Sequence, residues 1–208
     1  MILPVAFYLR PTLDVARDLI GKVVVHKTRS GITTGAIVEA EAYIGEADPA
    51  CHAAVGPTAR NAPLYGPPGR AYVYVNYGLH DMLNAVTEPA GRPAAVLIRA
   101  LEPLEGLALM RRRRARAPWR KGKPHVADHE LCRGPGNLCR AMGITLADNM
   151  RPLTRGALTI HDGGIAPREI VWDARIGIRV GTDKMWRATV RGHRSVSGRR
   201  SSSRADID

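Results

Sequence analysis

Phenylalanine occurs once in the 208 residues, cysteine three times, and nowhere do eighteen apolar residues follow one another. The lack of a long apolar run excludes a membrane-spanning helix. Cys51, Cys132 and Cys139 make an odd count in a chain long enough to hold a core without staples. A disulfide framework is therefore not expected, and a reducing cytoplasm is. The opening MILPVAFYLRP has no basic stretch ahead of its apolar residues and meets Arg10-Pro11 too early for a secretory signal. Acidic residues are also scarce, 19 against 31 Lys and Arg, for a net charge of +12. That surplus favours a polyanionic partner, nucleic acid before an acidic membrane surface.

What is present is unevenly placed. Five of the six tyrosines (Tyr43, Tyr65, Tyr72, Tyr74 and Tyr77) fall within a third of the chain, which suggests a local task. Residues 11–21 read as a short helix with Leu13, Ala16 and Ile20 on one face and Gly21 as the stop. KVVVHK (22–27) reads as a strand and TRSG (28–31) as a turn. AIVEAEAY (36–43) alternates, so a strand there carries Ile37, Glu39, Glu41 and Tyr43 on one face and Val38, Ala40 and Ala42 on the other. Residues 45–70 form a long Gly- and Pro-rich loop, and 71–86 a strand, a tight turn near Gly78 and a second strand. There Tyr72, Tyr74 and Asn76 share one face, and Val73, Val75 and Tyr77 the other.

PAAVLIRALEP (93–103) is a further strand ending at Pro103, and a helical pattern from Leu104 runs into MRRRRARAPWRKGK (110–123). Residues 129–144 suggest a helix broken by Gly134-Pro135-Gly136, and short strands are expected at 157–161 and 186–191. The Ser- and Arg-rich end, 195–208, reads as a disordered tail behind one domain of residues 1–194.

Glu39, Glu41, Glu46 and Asp48 cluster around Tyr43, with His52 close behind. Such a group is either a solvated strand edge or a carboxylate that activates water beside aromatic walls. Arg99, late in an apolar strand, either holds that carboxylate or snorkels to solvent. Arg111, Arg112, Arg113 and Arg114 read as a phosphate-contacting patch, giving affinity without sequence choice. His125, His129 and Cys132 have the spacing of a zinc site but no fourth ligand nearby. Three functions stay open: a hydrolytic enzyme acting on nucleic acid, a non-catalytic nucleic-acid-binding module, and a zinc-dependent nuclease.

The order EAEAYIGEADPACHA, RNAPLYGPPGRAYVYVNYG, LN and VLIRALEPLEG resembles the 3-methyladenine (alkylpurine) DNA glycosylase family, densely from Ala16 to Gly106. Weaker echoes follow at CRGPGNLCRAMGI (132–144) and ARIGI (174–178). The resemblance implies a single mixed α+β domain with a curved antiparallel sheet, flanking helices and a protruding β-hairpin. It implies double-stranded DNA as partner, met in the minor groove by a monomer of bacterial type, and no metal or cofactor. Matched residue by residue, Glu41 activates the attacking water, while Arg99 and the carbonyl of Ile176 position it. Tyr43, His52 and Tyr74 enclose a flipped base, Asn84 helps reject ordinary purines, and Tyr77 wedges into the duplex.

Overall fold

The computed structural model describes residues 1–116, 126–163, 165–166 and 169–198. Two N-terminal helices, α1 (Val5–Tyr8) and α2 (Thr12–Leu19), precede the strands β1 (Val23–Thr28) and β2 (Gly31–Ile44). Then come β3 (Ala71–Asn76), β4 (His80–Val86), β5 (Ala94–Glu105), the helices α3 (Leu107–Ala115) and α4 (Pro135–Met142), and β6 (Leu158–His161), β7 (Ile170–Asp173) and β8 (Arg187–Val190). All strands pair antiparallel in one sheet, in the order β3-β4-β5-β2-β1-β6. The expected mixed α+β class is what the chain adopts.

Strand β2 organises this sheet because it is long enough to serve three neighbours. One edge pairs with β5 from Thr34 to Ile44, while the other gives Gly31–Ala36 to β1 and Glu39–Glu41 to β8. Three irregularities bend the β2–β5 ladder: Val38 is the extra residue on β2, and Arg99 and Leu104 are extra residues on β5. A bulge re-aims side chains and sharpens local twist. Its effect here is that Ile37 and Val38 both pack into the main core, so Ile37 leaves the face shared by Glu39, Glu41 and Tyr43. Beyond the bulges the alternation is regular. Ala40, Ala42, Val73, Leu83, Ala85, Val96 and Ile98 pack into the main core with α2 and α4. The alternate residues line the other face, where a smaller cluster gathers Cys51, Ala53, Leu64, Tyr72, Val86 and Ala95.

Several local expectations shift. The buried face of α2 is Thr12, Val15, Ala16 and Leu19, with Leu13 only half-buried. Strand β5 runs past Pro103 to Glu105, because Pro103 sits at a register shift where a missing N–H is tolerated. Gly134-Pro135-Gly136 does not break a helix; Pro135 starts α4, the position where its fixed φ and absent N–H suit a helix. Strand β7, not expected from the sequence, pairs with β8 and thereby fixes the register of the last strand.

The turn between β3 and β4 is tight, as expected. Leu79 N–H bonds to the Asn76 carbonyl at 3.0 Å, and both central residues have positive φ, 50° at Tyr77 and 68° at Gly78. Positive φ at both central residues is the I′ pattern, here inside a three-residue loop, since Asn76 and His80 are the last pair of the ladder. Tyrosine rarely accepts it, and its presence lifts Tyr77 off both strand faces to the tip, 84% exposed.

Candidate active site

Four strands place their outward residues around one cavity of about 400 Å³. Strand β2 contributes Tyr43, β3 contributes Tyr72, Tyr74 and Asn76, β4 contributes Met82 and Asn84, and β5 contributes Ala95, Leu97 and Arg99. The loop after β2 adds Cys51 and His52, the loop after β7 adds Ile176, and Tyr77 stands at the rim. Its volume lies in the range of small-ligand sites.

Aromatic rings form one wall. The His52 ring meets Tyr74 edge-on at 4.5 Å between centroids, and its Nδ1 lies 2.9 Å from the Tyr72 hydroxyl. Burial, with Arg60 adding to it, holds the His52 pKa below its ordinary value. Burial likewise pushes the Tyr74 hydroxyl up to about 12. Asn84 donates from its side chain to the Tyr72 carbonyl at 3.0 Å, which pins the amide plane at the cavity.

Behind the opposite wall lies Glu41, completely covered by Tyr43, Arg99 and Ile176. Three donors converge on its carboxylate: the Tyr43 hydroxyl at 2.8 Å, Arg99 Nη1 at 3.1 Å and the Ile176 N–H at 2.7 Å. The Tyr43 hydroxyl is held above its ordinary pKa by burial and by that neighbouring carboxylate. Arg99 Nη1 also reaches the Ile176 carbonyl at 3.4 Å. The structure therefore brings Glu41, Arg99, Ile176, Tyr43, His52, Tyr74 and Asn84 to one place, with Tyr77 at its mouth.

Two supports escaped the sequence because their partners are far apart in the chain. Arg175 grips Asp48 through two bonds of 2.6 and 2.8 Å, both side chains fully buried, and its guanidinium stacks on Tyr43 at 4.7 Å. Asp48 also accepts from the Ile44 and Ala50 N–H groups, tying down the loop that presents His52. Burial would raise its pKa, but the Arg175 bonds outweigh this and hold it below the ordinary carboxylate value. The second support is Glu39, which is fully buried and bonded to Arg99, Arg187 and Ser197. Residues 195–198, expected in a disordered tail, thus belong to the packed body; Ser195 is fully buried. Residues 199–208 lie outside the described residues.

The arginine patch needs correction. Arg113 donates to the Ala141 and Met142 carbonyls at the end of α4, and Arg114 is buried and donates to the Glu130 and Leu131 carbonyls. Arg111 pairs with Asp128. Carbonyls left open at the ends of helical segments draw Arg113 and Arg114 inward. Arg112 alone of the four is exposed, and residues 117–125 lie outside the described residues. That stretch includes His125. Its would-be fellow ligand Cys132 packs in the core, 3.9 Å from the Met110 sulfur, with burial pushing its thiol up to about 12. A thiol so protonated is a poor zinc ligand. Among the described residues no three His, Cys, Asp or Glu side chains gather as a metal site, and no helix is long and apolar enough to cross a membrane.

Comparison with known proteins fits this geometry. The model of the methylpurine-DNA glycosylase family matches residues 6–194. A relative from Methanocella arvoryzae named as a 3-methyladenine DNA glycosylase is 51% identical over 178 residues, 85% of this chain and 84% of its own. Relatives of the same name from Rubrobacter xylanophilus and Burkholderia lata are 49% and 45% identical, covering 90% and 95% of this chain and 93% and 91% of theirs. With both carboxylate and aromatic cavity inside the matched span, the chain belongs to the methylpurine-DNA glycosylase family.

Proposed function

We propose that the protein is a monofunctional hydrolase that draws an alkylated or deaminated purine out of duplex DNA and cleaves its N-glycosidic bond with water. The observation that carries this reading is the buried Glu41 carboxylate against the wall of an aromatic cavity, held by donors from three separate elements. A base stacked in a duplex is out of reach of any such group, so it must be extruded first, at a cost of a few kcal/mol. Tyr77, exposed at the hairpin tip beside the cavity, enters the minor groove and fills the space the base leaves. The rings of Tyr43, His52 and Tyr74 receive the base. Alkylation puts positive charge on a purine, and aromatic faces attract a cation by about 0.5–2 kcal/mol. A neutral His52 adds no opposing charge.

Once the captured base displaces the cover of Glu41, water reaches the carboxylate between Arg99 and the Ile176 carbonyl. Glu41 takes one proton, the water oxygen bonds to the anomeric carbon, and the base departs with the electron pair of the broken C–N bond. Arg99, already paired with two carboxylates, holds Glu41 in place as the sugar gains oxocarbenium character. A protein that merely bound nucleic acid would gain nothing from burying two carboxylates on one arginine, since taking such charges out of water is costly. The test is Glu41→Gln with duplexes carrying one damaged purine. Binding should persist, and single-turnover release of free base, followed by chromatography, should fall at least ~10²-fold. Near-normal release would move the chemistry away from Glu41.

A further inference from the structure

Glu39 and Ser197 do not line the cavity, yet they hold the back of the guanidinium that does. Arg99 Nε donates to Glu39 Oε1 at 3.0 Å, and Nη2 lies 3.4 Å from Ser197 Oγ. Ser197 closes the ring by giving its hydroxyl to Glu39 Oε1 at 3.0 Å and its backbone N–H to Glu39 Oε2 at 2.6 Å. Only Nη1 is turned forward, to Glu41 and the Ile176 carbonyl. Each nitrogen of the guanidinium thus has its own partner, and two of the three are set by this pair. Arg187 Nη1 adds a fourth bond to Glu39 at 3.2 Å, itself anchored on Asp173 and on the Ala174 carbonyl. The segment carrying Ser197 is fastened in turn by Arg133, whose Nε donates to the Val196 carbonyl at 2.9 Å.

We infer that Glu39 and Ser197 are positioning residues for the reaction: they lock Arg99 so that its one forward nitrogen fixes Glu41 and the Ile176 carbonyl in register. Ser197 lies beyond residue 194, the last that the family model matches, while the other residues bonded to Arg99 lie within the matched span. The inference rests on Glu41 being the group that activates water. A fork with three fixed nitrogens keeps its direction; one held by Glu41 alone would pivot about that contact. Displacement by about 1 Å at a reacting centre costs on the order of 10²-fold in rate.

The experiment measures single-turnover base release, duplex affinity and thermal unfolding for Glu39→Gln, Ser197→Ala, Ser197→Thr, the double variant Glu39→Gln/Ser197→Ala, and Glu41→Gln as reference. Ser197→Ala should lower the rate at saturating enzyme about tenfold and Glu39→Gln about 10²-fold, both with duplex affinity unchanged. Ser197→Thr, which keeps the hydroxyl, should restore the rate. The double variant should be no slower than Glu39→Gln alone, because contacts acting through one group are not additive. Should Glu39→Gln fail to fold, the Ala and Thr variants at 197 still decide. Full rates for Ser197→Ala and Glu39→Gln beside an inactive Glu41→Gln would overturn the inference and leave the glycosylase reading standing. Strictly additive losses, or losses in rate matched by losses in affinity, would also overturn it. An active Glu41→Gln would instead overturn the reading on which it rests.

Discussion

Removing the Arg114 side chain takes two donors from the buried Glu130 and Leu131 carbonyls, whereas removing that of Arg112 takes a cation from solvent. A bond from a charged donor contributes roughly 1.5–3 kcal/mol, so Arg114→Ala should lower the unfolding midpoint and leave the salt dependence of duplex binding as it was. Arg112→Ala should leave the midpoint alone and, where it meets a phosphate, flatten the salt slope by about 0.9. Calorimetry and a salt titration of binding separate the two; a flattened slope for Arg114→Ala would return that residue to the DNA surface. His52 gives a prediction in pH. Its folded pKa lies below the unfolded value near 6.5, so the unfolded chain binds the proton first as the solution is acidified. The stability its neutral ring contributes is complete above about 6.5 and is lost as pH falls through the depressed folded value. Thermal midpoints followed from pH 7.5 to 5 should therefore drop more steeply for the natural protein than for His52→Gln, and parallel curves would show that His52 is not the titrating group.

At the scale of elements, the hairpin carries opposed demands. A turn of this type prefers Asn or Gly at both central positions, and a tyrosine there stores strain on the order of 1–2 kcal/mol. Tyr77→Asn should hence raise the unfolding midpoint while crippling excision of a paired base, and impair excision less where the base is mispaired and already partly free. Equal loss in both contexts would place Tyr77 in the pocket wall and not in the duplex. The same element shows how far local sequence reaches. Period-two alternation was sufficient to group Glu41 with Tyr43 on β2 and Tyr72 with Tyr74 on β3, because those positions follow from the pleat alone. It misplaced Ile37, since the bulge at Val38 is set by how β2 meets β5 and leaves no mark in β2 itself. Arg111, Arg113 and Arg114 read as solvent-facing for a like reason: the Asp128 carboxylate that holds the first lies 17 residues away, and the carbonyls that hold the other two come from segments up to 29 residues away. The reach of Ser197 to Glu39 spans 158 residues, and a short polar segment offers no periodicity from which to foresee it.

Across the whole molecule, the charge that turns inward is balanced. Among the described residues Arg99, Arg114, Arg175 and Arg187 are buried, but so are Glu39, Glu41, Asp48 and Asp148, so these charges cancel and the surplus behind the +12 total stays on the residues that face a duplex. Affinity for undamaged DNA should fall linearly on a double logarithmic plot against salt, and the slope divided by about 0.9 counts the phosphates met. A slope near zero would show that the surplus charge is not what holds DNA. The sealed carboxylate sets a different limit. Glu41 is fully buried, and the Tyr43 and Ile176 bonded to its carboxylate are the same residues that a captured base would press upon. In the proposed reaction, moving either one is what wets the carboxylate. Sound purines, which seldom leave the stack, would pass an enzyme whose blade stays sheathed, and discrimination against them would begin before any hydrogen bond to the base is compared.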